Sequence, residues 1–181
     1  MSRSLSELVR LIAPARRSWV GYLLRALALM IVFYALLYYP YLPGSLPVRA
    51  FGWYLHQIAR ASGAMVRVID DSVVVSSDLI QGRFSLRIVL DCAALDAHAL
   101  FAAAVLAFPA PWPRRAAGIV AGSALVALVN LARISALYVV GLRWPASFHF
   151  LHEEVLQLAI ILATFLAFGA WILWARPLRR P

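Results

Sequence analysis

Four long apolar runs divide the chain, and short polar stretches separate them. The runs cover residues 18–39, 92–108, 116–142 and 151–174. Each is close to the roughly 20 residues that a helix needs to cross about 30 Å of hydrocarbon. The pattern therefore predicts an all-α membrane bundle of about four transmembrane helices, in a single integral membrane domain that covers residues 1–181.

The polar segment 40–91 between the first two runs has a periodicity of its own. Phe51, Leu55 and Ile58 recur at helical spacing, which predicts a short amphipathic helix on the membrane surface. Val66 and Val68 alternate with a polar neighbour, residues 70–72 are typical of a turn, and clean alternation resumes over 83–90. We expect a small helix followed by a short β-hairpin or three-stranded insert.

Composition and charge fit a membrane protein. Apolar residues make up 64% of the chain and charged residues 14%, whereas about a quarter of a soluble domain is charged. The net charge of +9 comes from arginines that are scattered or lie at helix ends, so nucleic acid is not an expected partner. The positive-inside rule places both termini in the cytoplasm and segment 40–91 outside. The arginines that set this orientation are Arg3, Arg10, Arg16, Arg17, Arg114, Arg115, Arg176, Arg179 and Arg180.

Cys92, the single cysteine, stands where a strand-like run meets the second apolar run. Asp91 is a good helix N-cap, which predicts that Cys92 lies in the first helical turn, where the helix dipole favours a thiolate. Asp96 would share the cysteine's helix face at i+4 and is able to orient a partner there. The alternative is an inert cysteine buried in a membrane helix.

Arg133 lies inside the third apolar run, with Asn130 one turn away on the same face. An ionisable residue at membrane depth is a functional hypothesis by default. The pair has the donors needed to stabilise an oxyanion or to bind a substrate carbonyl. The alternative is a structural ion pair between Arg133 and either Asp96 or Glu154.

His152 begins the fourth apolar run and is able to deprotonate Cys92 or to protonate a departing amine. His149 competes for this role, whereas His98 and His56 are expected to point elsewhere. The histidines show no metal-ligand spacing and there is no second cysteine, so neither a metal nor another cofactor is expected.

Together, Cys92, the stretch Asn-Leu-Ala-Arg-Ile at 130–134 and His152 resemble the exosortase/archaeosortase family over about residues 89–174. The resemblance implies a multi-pass cysteine protease or transpeptidase of the bacterial cytoplasmic membrane, with Cys92, Arg133 and His152 as catalytic residues. Many members have Ser-Gly after the cysteine and about eight spans, whereas this chain has Ala-Ala and about four. Together with Phe108-Pro109 after the second run and Val155-Leu156-Gln157 after the histidine, these features resemble the short exosortase H subgroup. Substrates of that subgroup end in an IPTL-type tail of short motif, membrane helix and basic cluster.

The expected reaction is cleavage of such a C-terminal sorting signal through a thioester at Cys92. Arg133, with Asn130, would stabilise the oxyanion, Asp96 would support the site, and His152 would transfer protons. Water or an unknown acceptor amine would then resolve the thioester, and membrane lipid would surround the enzyme. A non-catalytic membrane scaffold and a small transporter with a polar path along Asp96, Arg133 and Glu154 remain alternatives.

Overall fold

The computed structural model describes residues 5–175, with side chains from Trp19 onward. Three elements are long and apolar enough to cross a membrane: residues Trp19–Leu37 of helix α1 (Leu5–Leu37), helix α4 (Trp112–Arg143), and the segment Pro145–Ala175. The last segment comprises a 3-10 turn (Pro145–Ser147), the single turn α5 (Phe148–Phe150), a π-helical turn (Leu151–Val155) and helix α6 (Leu156–Ala175). The chain is therefore a mostly helical protein with membrane-spanning character.

The predicted second span is shorter than the pattern indicated. Residues Leu90–Ala93 form a 3-10 turn, and helix α3 (Leu95–Ala107) has only 13 residues. At 1.5 Å per residue α3 is about 20 Å long, which is less than the roughly 30 Å of a hydrocarbon core. The structure does not confirm four full spans.

Close packing brings α3, α4 and α6 together. On α4, Gly118 contacts the ring of Trp171 and Gly122 contacts the ring of Phe101. These glycines stand one turn apart, and only the absence of a side chain lets the aromatic rings approach the α4 backbone so closely. A larger residue at either position would separate the helices.

One end of the bundle carries the arginine pair that begins α4. Arg114 donates to the carbonyl of Ala175 at the end of α6 (2.9 Å), and Arg115 donates to that of Leu106 near the end of α3 (3.2 Å). Both guanidiniums therefore satisfy carbonyls that a helix C-terminus leaves without partners. Tyr22 of α1 packs against Phe108 at this same end (6.1 Å between ring centroids). Arg3, Arg176, Arg179 and Arg180 lie outside the described residues, as do the side chains of Arg10, Arg16 and Arg17.

Segment 40–91 folds as a helix and a small sheet over the opposite end. Helix α2 (Leu46–Val66) is followed by strands β1 (Val74–Ser76), β2 (Leu79–Gln81) and β3 (Ser85–Arg87). They form an antiparallel sheet in the order β1-β2-β3. The predicted helix and three-stranded insert are confirmed. The predicted strand at Val66 and Val68 is wrong, because Val66 ends α2 and the next residues form a turn.

A buried carboxylate fastens the insert to α4. Asp70 is 1% exposed, and its oxygens accept hydrogen bonds from the hydroxyls of Ser72 and Tyr138, both at 2.6 Å. The backbone N–H of Arg83 donates to the same carboxylate at 3.0 Å, and its Nε lies 3.3 Å away. Hydrogen bonds from Ser72 and Tyr138, with those from Arg83, hold the pKa of Asp70 well below its usual range despite burial.

Candidate active site

Cys92 lies in the 3-10 turn before α3 and not in the first turn of a helix. The predicted N-cap at Asp91 is wrong: α3 begins after Ala94, which has a left-handed backbone (φ 54°, ψ 26°). The Cys92 residue is 5% exposed. Helix α3 therefore begins three residues beyond the cysteine, and any activation of the Cys92 thiol has to come from neighbouring side chains.

Asn130 of α4 holds the cysteine turn. Its side-chain amide donates to the backbone carbonyl of Cys92 at 2.9 Å, and Asn130 is only 2% exposed. The hydroxyl of Tyr54 in α2 approaches the next carbonyl, that of Ala93, at 3.5 Å. Asn130 thus has a positioning contact with the turn, while its own carbonyl oxygen is buried without a hydrogen-bond partner in the described part of the chain.

Arg133 lies one helical turn further along α4, at 5% exposure. Its Nη2 approaches Nδ1 of His152 (3.4 Å), the His152 carbonyl oxygen (3.5 Å) and Oε1 of Gln157 (3.2 Å). Its Nε is buried and, among residues 5–175, has no acceptor. Arg133 lines a cavity together with Asp91 and Ala94, which lie on either side of Cys92 in the chain.

The alternative ion pair is not formed in the described structure. Ion pairs there join Arg83 to Asp70, Arg87 to Asp78 and His149 to Glu153, and none includes Arg133. The Asp96 carboxylate instead accepts from the hydroxyl of Tyr38, at 3.1 Å to each oxygen. Asp96 therefore links α3 to Tyr38, the residue that follows α1.

The two competing histidines have different surroundings. The His152 ring is half-buried, faces Arg133 and packs on Phe148 at 5.8 Å between centroids. The His149 side chain is 82% exposed and its Nε2 lies 3.0 Å from the carboxylate of Glu153. Of these two histidines, only His152 contacts Arg133 in the described residues.

The other two histidines bind backbone carbonyls away from Arg133. The ring nitrogens of His98 face the carbonyl oxygens of Ala94 (2.7 Å) and Ser123 (3.2 Å). Nδ1 of His56 lies 2.7 Å from the Ser77 carbonyl oxygen. In residues 5–175, no group of three His, Cys, Asp or Glu side chains gathers closely enough to hold a metal ion.

Gln157 also belongs to the site, although its position in the sequence did not predict this. It follows His152 by five positions, a spacing that places two side chains on different faces of an α-helix. The π-helical turn Leu151–Val155 changes this register, and both side chains meet Arg133. Such turns are frequent at functional sites, but the sequence gives no local signal for one.

Three elements carry the candidate groups at one end of the bundle: the cysteine turn carries a thiol, α4 a buried guanidinium, and the π-helical turn an imidazole. These groups suit acyl transfer, which needs a nucleophile, an oxyanion donor and a proton carrier. Comparisons of the chain with protein-family models, curated proteins and solved structures found no match.

Proposed function

We propose that the chain is a membrane-embedded cysteine endopeptidase or transpeptidase of the exosortase type, which cleaves a C-terminal sorting signal of secreted proteins. The observation that carries the proposal is the position of Arg133. It is buried without a carboxylate partner in the described structure and contacts His152, while Asn130 on the same helix face binds the backbone of Cys92. A buried cation without a counter-charge costs several kcal/mol, so a catalytic use accounts for it better than a structural one.

The distribution of charge supports an extracytoplasmic site in a bacterial cytoplasmic membrane. Arg114 and Arg115 lie at the end of the bundle opposite the cysteine turn, beside the ends of α3 and α6. The positive-inside rule assigns that end to the cytoplasm. In this proposal α3, together with the 3-10 turn Leu90–Ala93 that precedes it, makes a short fourth crossing, and both termini lie inside.

The first half-reaction forms a thioester. His152 takes the proton of the Cys92 thiol, and the resulting thiolate attacks the carbonyl carbon of the scissile peptide bond. Arg133 donates to the oxyanion of the tetrahedral intermediate. When the intermediate collapses, the C–N bond breaks and the departing amine takes the proton from His152, which leaves an acyl group on the sulfur.

Arg133 couples these steps through the tautomer of His152. A guanidinium only donates hydrogen bonds, so Nδ1 of His152 is the acceptor at 3.4 Å and the neutral ring carries its proton on Nε2. When a substrate binds and Arg133 turns to its carbonyl oxygen, Nδ1 is released and becomes the base that accepts the thiol proton. Catalytic contacts of this kind commonly tighten only with substrate bound.

The second half-reaction transfers the acyl group. Water or an acceptor amine gives a proton to His152, attacks the thioester carbon and releases the Cys92 thiolate, which regains a proton. The buried cysteine turn shields the thioester from water, which favours transfer to an amine.

The backbone at Ala94 also supports the family assignment. Many exosortases carry Ser-Gly after the cysteine, which places glycine at the position of Ala94. The left-handed conformation found there (φ 54°) is one that glycine adopts without strain. The alanine of this chain adopts this conformation at a cost of about 1–2 kcal/mol.

The test is processing of a secreted reporter that carries an IPTL-type motif, an apolar helix and a basic cluster at its C-terminus. Wild-type protein should shorten the reporter, and Cys92→Ala should leave it intact while still inserting into the membrane. Ser135→Ala is the matched control, since within residues 19–175 this α4 hydroxyl donates only to the Leu131 carbonyl of its own helix. Normal processing by Cys92→Ala would refute the proposal.

A further inference from the structure

A cavity of about 210 Å³ lies between α1, α3 and α6, next to the candidate site. Arg133, Gln157 and the carboxylates of Asp91 and Asp96 supply polar groups to its wall. Ala97, Leu100 and Ile160 supply apolar ones. The volume exceeds the roughly 150 Å³ of an apolar cavity that holds benzene. The cavity is therefore large enough for an apolar side chain.

The cavity extends along the helices. Its residues on α6 run from Gln157 to Thr164, and those on α3 from Ala94 to Leu100. Seven helical residues at 1.5 Å each correspond to about 10 Å, and a strand covers that length with about three residues. A short extended peptide fits beside Arg133 in this direction.

The cavity opens sideways between α1 and α6. Helix α1 packs mainly along α3, so α6 forms the facing wall without closing on α1. Two residues of the cavity wall, Tyr34 on α1 and Ile161 on α6, are 39% and 38% exposed. They form a rim on surfaces that would face lipid, and a chain held in the membrane reaches the cavity through this rim.

The polar wall shows what the occupant has to supply. Nε of Arg133 is buried without an acceptor in residues 5–175, and a buried donor left unpaired is destabilising. A lipid tail offers no acceptor, whereas an extended peptide offers backbone carbonyls to Arg133 and side chains to the apolar wall. The occupant that matches both parts is a peptide.

We infer that this cavity is the specificity pocket of the enzyme: it receives an uncharged apolar side chain of the sorting motif next to the scissile bond, and the substrate enters laterally between α1 and α6. The inference rests on the proposed function. Ala97 and Leu100 set the size of the pocket, and Ile161 stands at its opening.

The test changes the pocket size and measures substrate preference. Reporters with Ala or Phe at each position of the sorting motif are compared by kcat/KM. Ala97→Leu should lower the Phe-to-Ala ratio at least tenfold at one motif position, and Leu100→Ala should raise it at that same position. Ala159→Leu and Leu166→Ala are matched controls on the opposite face of α6, where both residues are exposed.

A ratio of two substrates is insensitive to partial loss of folded protein, because that loss lowers both rates equally. If both pocket variants processed the reporters normally and the Phe-to-Ala ratio of kcat/KM were unchanged at every motif position, the cavity would not be the specificity pocket. The proposed function would still stand.

A binding measurement separates the two failures. In Cys92→Ala protein, a photoreactive residue at position 161 should crosslink to the reporter tail, and one at position 166 should not. Crosslinking at 161 without any processing by wild-type protein would refute the proposed function alone. Equal crosslinking from both positions would overturn the lateral opening.

Discussion

Arg133→Lys tests whether the buried arginine acts in the reaction or only in folding. Lysine keeps the positive charge but replaces a planar fork of five donors by a compact ammonium. In the structure, Nη2 alone lies 3.2–3.5 Å from three acceptors: the ring nitrogen and the backbone carbonyl of His152, and the side-chain carbonyl of Gln157. A lysine ammonium that donates to these acceptors has no second nitrogen with which to donate to an oxyanion.

The contacts set the expected magnitudes. The bonds of Nη2 are long, and hydrogen bonds contribute about 0.5–1.5 kcal/mol each, so loss of one or two should lower the unfolding free energy by roughly 1–2 kcal/mol. Removal of an oxyanion donor costs a factor of about 10² to 10³ in rate. Reporter processing should therefore fall far more than stability.

Processing rate and thermal unfolding in detergent are measured on the same preparations. Arg143→Lys, at the exposed end of α4, is the control and should change neither. Full activity of Arg133→Lys would refute the catalytic role and leave a structural charge. Unfolding of the variant would show that the arginine holds the bundle together.

Three further predictions concern the two histidines, Asp70 and Ala94. His152→Ala should lower processing by a factor of about 10² to 10⁴, as for loss of a general acid–base. His149→Ala should change processing little, because the exposed pair of His149 and Glu153 contributes at most about 1 kcal/mol to stability. A larger loss of processing in His149→Ala than in His152→Ala would refute the assignment. Asp70→Asn should lower stability at neutral pH in thermal unfolding. Since the folded pKa of Asp70 is depressed, wild-type stability should fall as pH drops below about 4, and an equal fall in Asp70→Asn would contradict this. Ala94→Gly should leave the unfolding free energy within about 1 kcal/mol, because relief of left-handed strain offsets the added freedom of the unfolded chain; Ala94→Val should destabilise strongly, and a tolerated valine would refute the strained turn.

Long-range periodicity made much of the fold predictable. Continuous apolar runs and the spacing of Phe51, Leu55 and Ile58 identified helices α1, α2, α4 and α6, because their periods persist over several turns. The alternation at Val66 and Val68 covers too few residues to separate a strand from the end of a helix. The anchor of the insert was not predictable, because Asp70 and Tyr138 meet across 68 positions of sequence.

The candidate site was predictable in its residue types more than in its local geometry. Cys92, Asn130, Arg133 and His152 stood out as polar groups in apolar surroundings, and the structure places them at one end of the bundle. The left-handed backbone at Ala94 and the π-helical turn leave no trace in residue spacing. These two features displace Cys92 from the helix start and bring the residue at 157 to Arg133.

The most direct test of the central claim is detection of the acyl-enzyme. Wild-type protein incubated with the tailed reporter and trapped by denaturation should carry an adduct on the peptide that contains Cys92, seen by mass spectrometry and removed by hydroxylamine. Cys92→Ala should form none. The thioester mechanism would be contradicted if wild-type protein processed the reporter without any adduct on Cys92. A hydroxylamine-resistant adduct elsewhere in the protein would contradict it too.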